Sequence, residues 1–212
     1  MAVVGIVPAA GSGERLGATG PKAFVMLGGR PLLEWSLEVL DAVCDRVVVA
    51  LPPGHEDIAG PDRVAGGASR SESVARALEA APEANVAVVH DSARPLLTHE
   101  LVERCIAALS GSFDGAIAAA PVTDTVKVVE GHRVIRTPER SALWAVQTPQ
   151  VFRAEALRAA LATGDLSAAT DDASLVEAAG GRVRVVEAPA ENLKVTTALD
   201  LRVAEMLIAE RP

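Results

Sequence analysis

Short apolar runs rich in valine and alanine recur along this chain, and each gives way to a stretch with helical periodicity. Such runs occupy residues 4–7, 46–51, 86–89 and 116–120. A nearly continuous β-branched run is typical of a strand that is covered on both faces, as in a parallel sheet flanked by helices. The alternation therefore predicts one α/β domain over residues 1–212 with a mostly parallel sheet.

The composition fits such a core and excludes a membrane span. Half of the 212 residues are hydrophobic, but aromatic residues make up only 2% and tyrosine is absent, so Ala, Val and Leu must fill the interior. No apolar run reaches the roughly 18 residues that cross a bilayer. The chain enters its first predicted strand almost at once, without a basic leader, so we expect no signal peptide and a cytoplasmic location.

The net charge argues against a nucleic-acid-binding protein, and the spacing of cysteine and histidine argues against a metalloprotein. The net charge of −8 opposes nonspecific binding to nucleic acid, so we expect neither a nucleic-acid nor a membrane partner. Cys44 and Cys105 lack metal-site spacing and are expected to be buried thiols, and the four histidines form no His-x-x-x-His pair. We therefore predict no protein-held metal. An acidic chain can still bind an anion where its cations are concentrated in one pocket.

The first apolar run ends abruptly in a loop of small residues that is followed by two cations, Arg15 and Lys22. The loop residues are Pro8, Ala9, Ala10, Gly11, Ser12 and Gly13. Glycine lets the backbone approach a ligand closely, and successive N–H groups can form an anion-binding concavity. This order favours a phosphate-binding loop in which Arg15 and Lys22 neutralise charge.

The loop matches neither of two familiar phosphate-binding motifs. A Walker loop ends in Gly-Lys-Ser/Thr, whereas Lys22 lies between Pro21 and Ala23. A dinucleotide fingerprint needs a small residue where Leu16 stands and an acidic residue after the second strand, where this chain has Pro52. On the glycines alone, an ordinary glycine-rich βα turn remains an alternative. The two flanking cations favour nucleotide phosphates.

Helix and strand signals follow the loop in regular order. Helices are predicted behind Pro31, behind a capping box at Ser69–Glu72, behind Thr98, over 154–162, behind Thr170–Asp172 and over 199–208, and a further strand carries Val183 and Val185. Residues 125–136 instead read as a hairpin with Glu130-Gly131-His132 at its turn. Because a lone two-stranded ribbon is marginally stable, we expect it to project and to meet a partner surface, with packing on its own subunit as the alternative.

Polar clusters stand where several predicted strands end. They are Arg15 with Lys22, residues 66–70, residues 91–95 and residues 191–194. In open α/β sheets, ligands bind beyond the carboxyl ends of the strands, so these clusters are expected to converge. Taken singly, Asp91 and Arg94 could form a surface ion pair, and Lys194 could be a solvated lysine.

Several motifs occur in the order of one family. They are residues 9–16, Pro21-Lys22, His90–Pro95, Thr148-Pro149-Gln150, Thr170–Ser174 and Asn192–Thr196. The chain resembles, nearly end to end, the 2-C-methyl-D-erythritol 4-phosphate cytidylyltransferases of the non-mevalonate isoprenoid pathway. The glycine loop alone indicates only the wider nucleotidyltransferase superfamily, and the later motifs narrow it.

The resemblance implies a Rossmann-like three-layer nucleotidyltransferase fold with a projecting β-hairpin arm. It also implies CTP-dependent transfer of CMP to methylerythritol phosphate, with release of diphosphate and a requirement for Mg²⁺ held mainly by the CTP phosphates. Arg15 and Lys22 would stabilise the transition state, and Pro8–Gly13 would hold the triphosphate and part of the base. Gly67, Ala68 and Ser73 would line the cytosine pocket.

The resemblance also assigns the acceptor and the quaternary structure. Methylerythritol phosphate would contact Asp91, Arg94, Thr148, Thr170 and Lys194. Residues 122–143 would form a dimerisation arm, whose Arg140 and Thr125 reach the substrate of the neighbouring subunit in a homodimer; Arg140 and Lys194 would share in catalysis.

Two positions depart from the family pattern, and two other functions stay open. Ala68 stands where relatives often carry Asp, which weakens a side-chain role there, and Ser92 stands where Ala is common. A cytidylyltransferase for another polyol phosphate, such as ribitol 5-phosphate, would share the loop and the mechanism. A non-catalytic nucleotide-binding protein would bind CTP without releasing diphosphate, although the presence of both Arg15 and Lys22 favours an enzyme.

Overall fold

The computed structural model describes residues 1–11, 13, 16, 20–55 and 62–210. Its strands are β1 (Val3–Pro8), β2 (Met26–Leu27), β3 (Arg30–Pro31), β4 (Arg46–Leu51), β5 (Arg63–Ala65), β6 (Val86–Val89), β7 (Gly115–Pro121), β8 (Val128–Glu130), β9 (Arg133–Arg136), β10 (Trp144–Arg153) and β11 (Val183–Glu187). Its α-helices are α1 (Leu32–Val43), α2 (Arg70–Glu79), α3 (His99–Ala108), α4 (Ala154–Thr163), α5 (Asp172–Ala178) and α6 (Ala198–Ala209).

Seven strands form one mostly parallel sheet in the order β11-β7-β10-β6-β1-β4-β5. β1 lies between β4 and β6 and is parallel to both, with Gly5 opposite Val47 and Val88. β10 is antiparallel to its two neighbours, β6 and β7. Strand order reverses at β1, since the chain runs outward through β4 and β5 and then returns to β6 on the other side. This reversal opens a crevice beyond the carboxyl end of β1.

Helices cover both faces of the sheet, so the predicted three-layer α/β fold is confirmed. Alternate residues of each strand enter opposite cores, as in β1, where Ile6 packs with α2, α4 and α5 while Val7 packs with α1 and α3. A smaller third cluster joins α6 to the two-stranded β2–β3 ribbon through Leu27, Leu32 and Ala204. Within the described ranges, no helix is both long and apolar enough to span a bilayer.

The helix starts follow local capping rules that the sequence displays. Ser69, Thr98 and Asp171 each accept a hydrogen bond from a backbone N–H of the first turn of their helix. The predicted capping box at α2 is only half formed, because the Glu72 carboxylate accepts from the N–H of Ala68 rather than that of Ser69. This difference is important for the site, because it orders the loop that precedes α2.

The central strand β10 was not predicted from the sequence. Its segment carries Gln147, Thr148, Pro149 and Gln150, and proline is unfavourable inside a sheet because it donates no ladder hydrogen bond. The structure accommodates the proline by a register shift against β7 between Val146 and Gln150. Polar side chains are thereby presented at the end of the sheet where β1 and β6 finish.

Two further predictions are corrected in detail. The hairpin is shorter than predicted, since its first strand begins at Val128 instead of Thr125. The predicted strand over Val183 and Val185 is confirmed as β11, an edge strand in which Val185 is exposed and Val186 is buried. Both cysteines are free; Cys105 is buried, as predicted, whereas Cys44 is only half-buried.

Candidate active site

Two adjoining cavities lie beyond the carboxyl ends of β1 and β6. The first has a volume of about 500 Å³ and the second about 440 Å³. Arg70, Asp91 and Lys194 border both cavities, so the two adjoin along these side chains. Loops that follow different strands meet here because the carboxyl ends of parallel strands share one edge of the sheet.

The first cavity is lined by the glycine loop and by the loop before α2. Of the predicted nucleotide-binding residues, those that line it are Pro8, Ala9, Ala10, Gly11, Gly13, Gly67, Ala68 and Ser73. Lys22 lies on its wall, in a 3₁₀ turn (Lys22–Phe24) whose first N–H donates to the carbonyl of Gly11. The predicted Ser12 and Arg15 lie outside the described residues.

The loop before α2 packs so closely against the glycine loop and against α2 that side chains at its two glycines would clash with them. A Cβ added at Gly66 would lie 2.6 Å from the Cβ of Ala10, and one at Gly67 would lie 2.2 Å from the Cβ of Glu72. The N–H of Gly67 donates to the Ser73 hydroxyl at 3.0 Å, and that hydroxyl donates to the carbonyl of Ser69. The loop is thus held in place by α2 itself, and its N–H groups at Gly67 and Ala68 are already engaged.

The second cavity is polar and is walled by β10, α5 and the loop after β6. All five predicted acceptor-binding residues line it, namely Asp91, Arg94, Thr148, Thr170 and Lys194. Arg94 does not pair with Asp91, so the simple ion pair considered from the sequence is wrong. The Arg94 guanidinium instead donates to the carbonyl of Asn192 at 2.7 Å, and its Nε is buried without a partner in the described part of the chain.

Asp91 is the electrostatic centre of the site. Its Oδ1 accepts from Arg70 Nε at 2.9 Å, and its Oδ2 accepts from Lys194 Nζ at 2.7 Å. Burial opposes ionisation of this carboxyl, but the two cations outweigh burial and hold its pKa below the ordinary value. Asp91 is therefore a carboxylate that places cations and is not available to take a proton near neutrality.

His90 is fully buried behind Asp91 and acts as a neutral scaffold. Its Nε2 lies 3.1 Å from the carbonyl oxygen of Arg94, which can only accept, so Nε2 carries the proton. Nδ1 then accepts from the Thr148 hydroxyl at 3.0 Å, and the same hydroxyl accepts the N–H of Asp91. Burial lowers the pKa of His90 to about 4, which keeps the ring neutral.

Buried amides tie the walls of the second cavity together. The Asn192 side chain donates to the Gln147 side chain at 2.7 Å and to the carbonyl of Thr148 at 2.8 Å. Gln150 donates to Asp171 and accepts from the N–H of Ala173 at the start of α5. Each wall therefore rests on side chains distant in sequence, which pre-organises the cavity.

The structure adds Arg70 to the predicted site. A cation at the first position of a helix faces the positive end of the helix dipole and needs an acidic partner. Arg70 has two, since it donates to Asp91 and, at 2.6 Å, to the fully buried Asp172. Its place three residues after the Gly66-Gly67 pair was the signal available in the sequence. Two other predicted residues, Arg140 and Thr125, line neither cavity within this chain.

A mostly parallel α/β sheet with a glycine-lined cavity at its strand-order reversal defines the class of nucleotide-binding α/β proteins. The family model for 2-C-methyl-D-erythritol 4-phosphate cytidylyltransferase matches residues 3–210. The enzyme of that name from Frankia casuarinae is 48% identical over 98% of this chain and 81% of its own length. The one from Nocardia farcinica is 45% identical over 99% of this chain and 95% of its own length.

Solved structures agree with these sequence comparisons. The crystal structure of 2-C-methyl-D-erythritol 4-phosphate cytidylyltransferase from Thermus thermophilus superposes with a TM-score of 0.84 at 41% identity, covering 99% of this chain and 100% of that one. The chain belongs to the 2-C-methyl-D-erythritol 4-phosphate cytidylyltransferase family, whose members are nucleotidyl-transferring enzymes.

Proposed function

We propose that this protein transfers CMP from CTP to 2-C-methyl-D-erythritol 4-phosphate, giving 4-diphosphocytidyl-2-C-methyl-D-erythritol and diphosphate in non-mevalonate isoprenoid biosynthesis. The observation that carries the proposal is a pair of adjoining cavities, one lined by a glycine loop and one polar, in a chain that matches the family over residues 3–210. The first cavity suits a nucleoside triphosphate, and the second suits a small polyol phosphate.

The chemistry needs alignment more than proton transfer. A phosphate oxygen of the acceptor attacks the α-phosphorus of CTP, the bond from that phosphorus to the bridging oxygen breaks, and diphosphate leaves. A phosphate monoester has a second pKa of about 6, so its oxygen is already a nucleophile near neutrality. No general base is required, and His90 could not serve as one, since both of its ring nitrogens are engaged.

The glycine loop and its cations would handle the triphosphate. The loop Pro8–Gly13 would cradle the phosphates with the backbone N–H groups that follow Ala9, whose own N–H donates to the carbonyl of Ala50. Lys22 with Arg15 would neutralise charge that grows on the α-phosphate and the leaving diphosphate. The position of Lys22 on the wall of the first cavity supports this role.

Gly67, Ala68 and Ser73 would form the base pocket. The N–H groups of Gly67 and Ala68 are already bonded to Ser73 and Glu72, so this loop offers acceptors to a base. Cytosine carries an exocyclic amino donor that a carbonyl oxygen can accept. Such recognition relies on the backbone and tolerates alanine at position 68.

The second cavity would hold the acceptor. Arg94 and Lys194 would bind its phosphate, while Asp91, Thr148 and Thr170 would meet its polar groups. Arg94 lines this cavity, and its guanidinium has five N–H donors, of which one is given to the Asn192 carbonyl.

The described residues do not form a metal site of their own. No three acidic, histidine or cysteine side chains among them lie close enough to hold an ion, and both oxygens of Asp91 accept from cations. We propose that Mg²⁺ enters as part of the substrate, bound to the CTP phosphates, where it would offset the charge of the leaving diphosphate.

We also propose a cytoplasmic homodimer that is built through an arm over residues 122–143. The arm carries exposed apolar side chains, at Val126, Val129, Val134 and Ile135, which a partner would cover. Arg140 and Thr125 lie on it, away from both cavities of their own chain. They would complete the acceptor cavity of the partner subunit.

Steady-state turnover tests the proposal directly. Purified protein with CTP and Mg²⁺ is given methylerythritol phosphate or ribitol 5-phosphate, and diphosphate release is followed together with the mass of the nucleotide product. We expect faster turnover with methylerythritol phosphate. A preference for ribitol 5-phosphate would overturn the acceptor, and CTP binding without diphosphate release from either acceptor would overturn the enzyme.

A further inference from the structure

Arg70 joins three parts of the molecule that lie far apart in the sequence. It begins α2, directly after the base-pocket loop, and its guanidinium borders both cavities. One side of the guanidinium bonds to Asp91, which follows β6, and the other bonds to Asp172, which begins α5. Arg70 and Asp91 line the second cavity, whereas Asp172 is buried behind its wall, between Asp171 and Ala173, which also line it.

The contacts form a single line of alternating charge. It runs from Asp172 to Arg70 at 2.6 Å, from Arg70 to Asp91 at 2.9 Å and from Asp91 to Lys194 at 2.7 Å. Two anions balance two cations, so the line adds no net charge to the site. Its effect is geometric, because each oxygen of Asp91 is held by one cation and the carboxylate cannot turn without losing a bond.

Asp172 anchors this line in the interior. Its side chain is fully buried, and its Oδ1 has no partner among the described residues. A buried carboxylate is tolerated only when it is paired, and Arg70 is the cation that pairs with it. The Arg70 guanidinium is therefore tied to a rigid point on α5 and cannot follow Asp91 if that side chain moves.

We infer that Arg70 is a positioning residue of the acceptor site, which bridges Asp172 and Asp91 and thereby sets where the Lys194 ammonium meets the acceptor phosphate. The inference rests on the proposed function. The side chain of Lys194 is 41% exposed, so the ammonium would otherwise sample many positions. Small displacements of such a group slow a transfer reaction strongly.

The base pocket is held independently of this line. The hydrogen bonds that fix its loop come from the side chains of Ser73 and Glu72, both on α2, whereas the Arg70 guanidinium bonds to Asp91 and Asp172. Loss of the Arg70 bridge is therefore expected to affect the acceptor and to spare CTP. If Arg70 contributed only to folding, its loss would impair the binding of CTP and the use of the acceptor together.

Two variants test the inference. Arg70→Lys keeps the charge but cannot reach both carboxylates, and Asp172→Asn keeps the shape while it removes the buried anchor charge. We expect kcat/KM for methylerythritol phosphate to fall by about 30- to 100-fold in Arg70→Lys, with the Kd for CTP within about threefold of wild type. Asp172→Asn is expected to lower kcat/KM for methylerythritol phosphate by a smaller factor, and it too should leave the Kd for CTP within about threefold of wild type.

Arg46→Lys is the matched control. Arg46 also bridges two carboxylates, Asp62 and Glu83, but at the amino end of β4, away from both cavities. We expect Arg46→Lys to leave kcat/KM for methylerythritol phosphate and the Kd for CTP at their wild-type values. A second test combines two variants, Arg70→Lys and Lys194→Gln. Because Arg70 is inferred to act through Lys194, adding Arg70→Lys to Lys194→Gln should cause little further loss of kcat/KM for the acceptor.

Circular dichroism and thermal melting establish that each variant is folded, and Asp172→Asn decides the question if Arg70→Lys is not. Wild-type acceptor kcat/KM in a folded variant would overturn the inference, and so would losses that are additive with Lys194→Gln. Equal losses for CTP and acceptor would also overturn it. A wild-type protein that releases no diphosphate would instead remove the proposed function itself.

Discussion

Acidification from pH 7 to pH 5 should destabilise this protein through one buried histidine. His90 is inaccessible to solvent, and its neutral tautomer is fixed by the Arg94 carbonyl on one side and the Thr148 hydroxyl on the other. A proton added at Nδ1 would turn the acceptor of the Thr148 hydrogen bond into a donor. Burial is the largest cause that lowers the pKa of His90, to about 4.

The sign and size of the effect follow from proton linkage. An unfolded histidine has a pKa of about 6.5, so between about pH 6.5 and pH 4 the unfolded chain binds more protons than the folded one. The contribution of His90 to stability is therefore complete above about pH 6.5 and is lost as the pH falls through the folded pKa. Between pH 7 and pH 5 the loss is about 2 kcal/mol.

Two neighbouring carboxyls titrate differently and must be separated from His90. Burial raises the pKa of Asp172, with Arg70 opposing it in part, so protonation of Asp172 favours the folded state on acidification. The pKa of Asp91 is lowered by Arg70 and Lys194 against burial, so its contribution is lost only at lower pH. Wild type and a His90 variant share both carboxyls, so the carboxyl contributions cancel to first order when the pH dependence of stability is compared between the two proteins.

The assay compares urea unfolding of wild type and His90→Gln at pH 7, 6 and 5 and constant ionic strength. The glutamine amide does not titrate and can still donate to the Arg94 carbonyl. We expect wild type to lose about 2 kcal/mol more than the variant between pH 7 and pH 5. Parallel pH profiles for the two proteins would refute the reasoning, since they would mean that His90 titrates equally in the folded and unfolded states.

Four further outcomes are expected. Gly67→Ala should weaken CTP binding by about 5- to 150-fold by calorimetry, because overpacking costs about 1–3 kcal/mol; Gly20→Ala, where an added Cβ meets nothing within 4 Å, is its control and should bind normally. Cys105, whose pKa burial raises to about 12, should resist iodoacetamide at pH 8 until urea is added, and rapid labelling of the folded protein would contradict this. Lys22→Ala should lower kcat about 100- to 1,000-fold with an unchanged circular dichroism spectrum, and near-normal turnover would remove Lys22 from the chemistry. Mixed Arg140→Ala and Lys22→Ala chains should regain part of the activity if sites are shared, whereas proven subunit exchange without recovery would argue against a composite site.

Local signals in the sequence were enough to predict most of the fold. β-branched runs identified β1, β4 and β6, and the side chains of Ser69 and Thr98 identified the starts of two helices. These features depend on residues within one turn or one strand, so they can be read without knowledge of the partners. β10 could not be found in this way, because its proline and glutamines belong in a strand only when a register shift against β7 accommodates them.

The candidate site likewise has features that the sequence predicted and features that only the structure shows. Polar clusters at successive strand ends predicted which loops converge, since the carboxyl ends of parallel strands share one edge. That reasoning placed the glycine loop, Asp91 and Lys194 correctly around one pair of cavities. His90 lies behind the site and does not line it. This position could not be predicted, because the sequence does not show which side chains become buried.

Residue order alone was sufficient for the layered α/β scaffold, the glycine loop after the first strand and the group of polar residues at the sheet edge. The pairing of charges became clear only from the packed molecule. Asp91 was considered with Arg94, three residues away, but it bonds to Arg70 and Lys194, which are 21 and 103 residues distant. Ion pairing depends on distance and burial in space, and both arise only when β6, α2 and α5 pack at one end of the sheet.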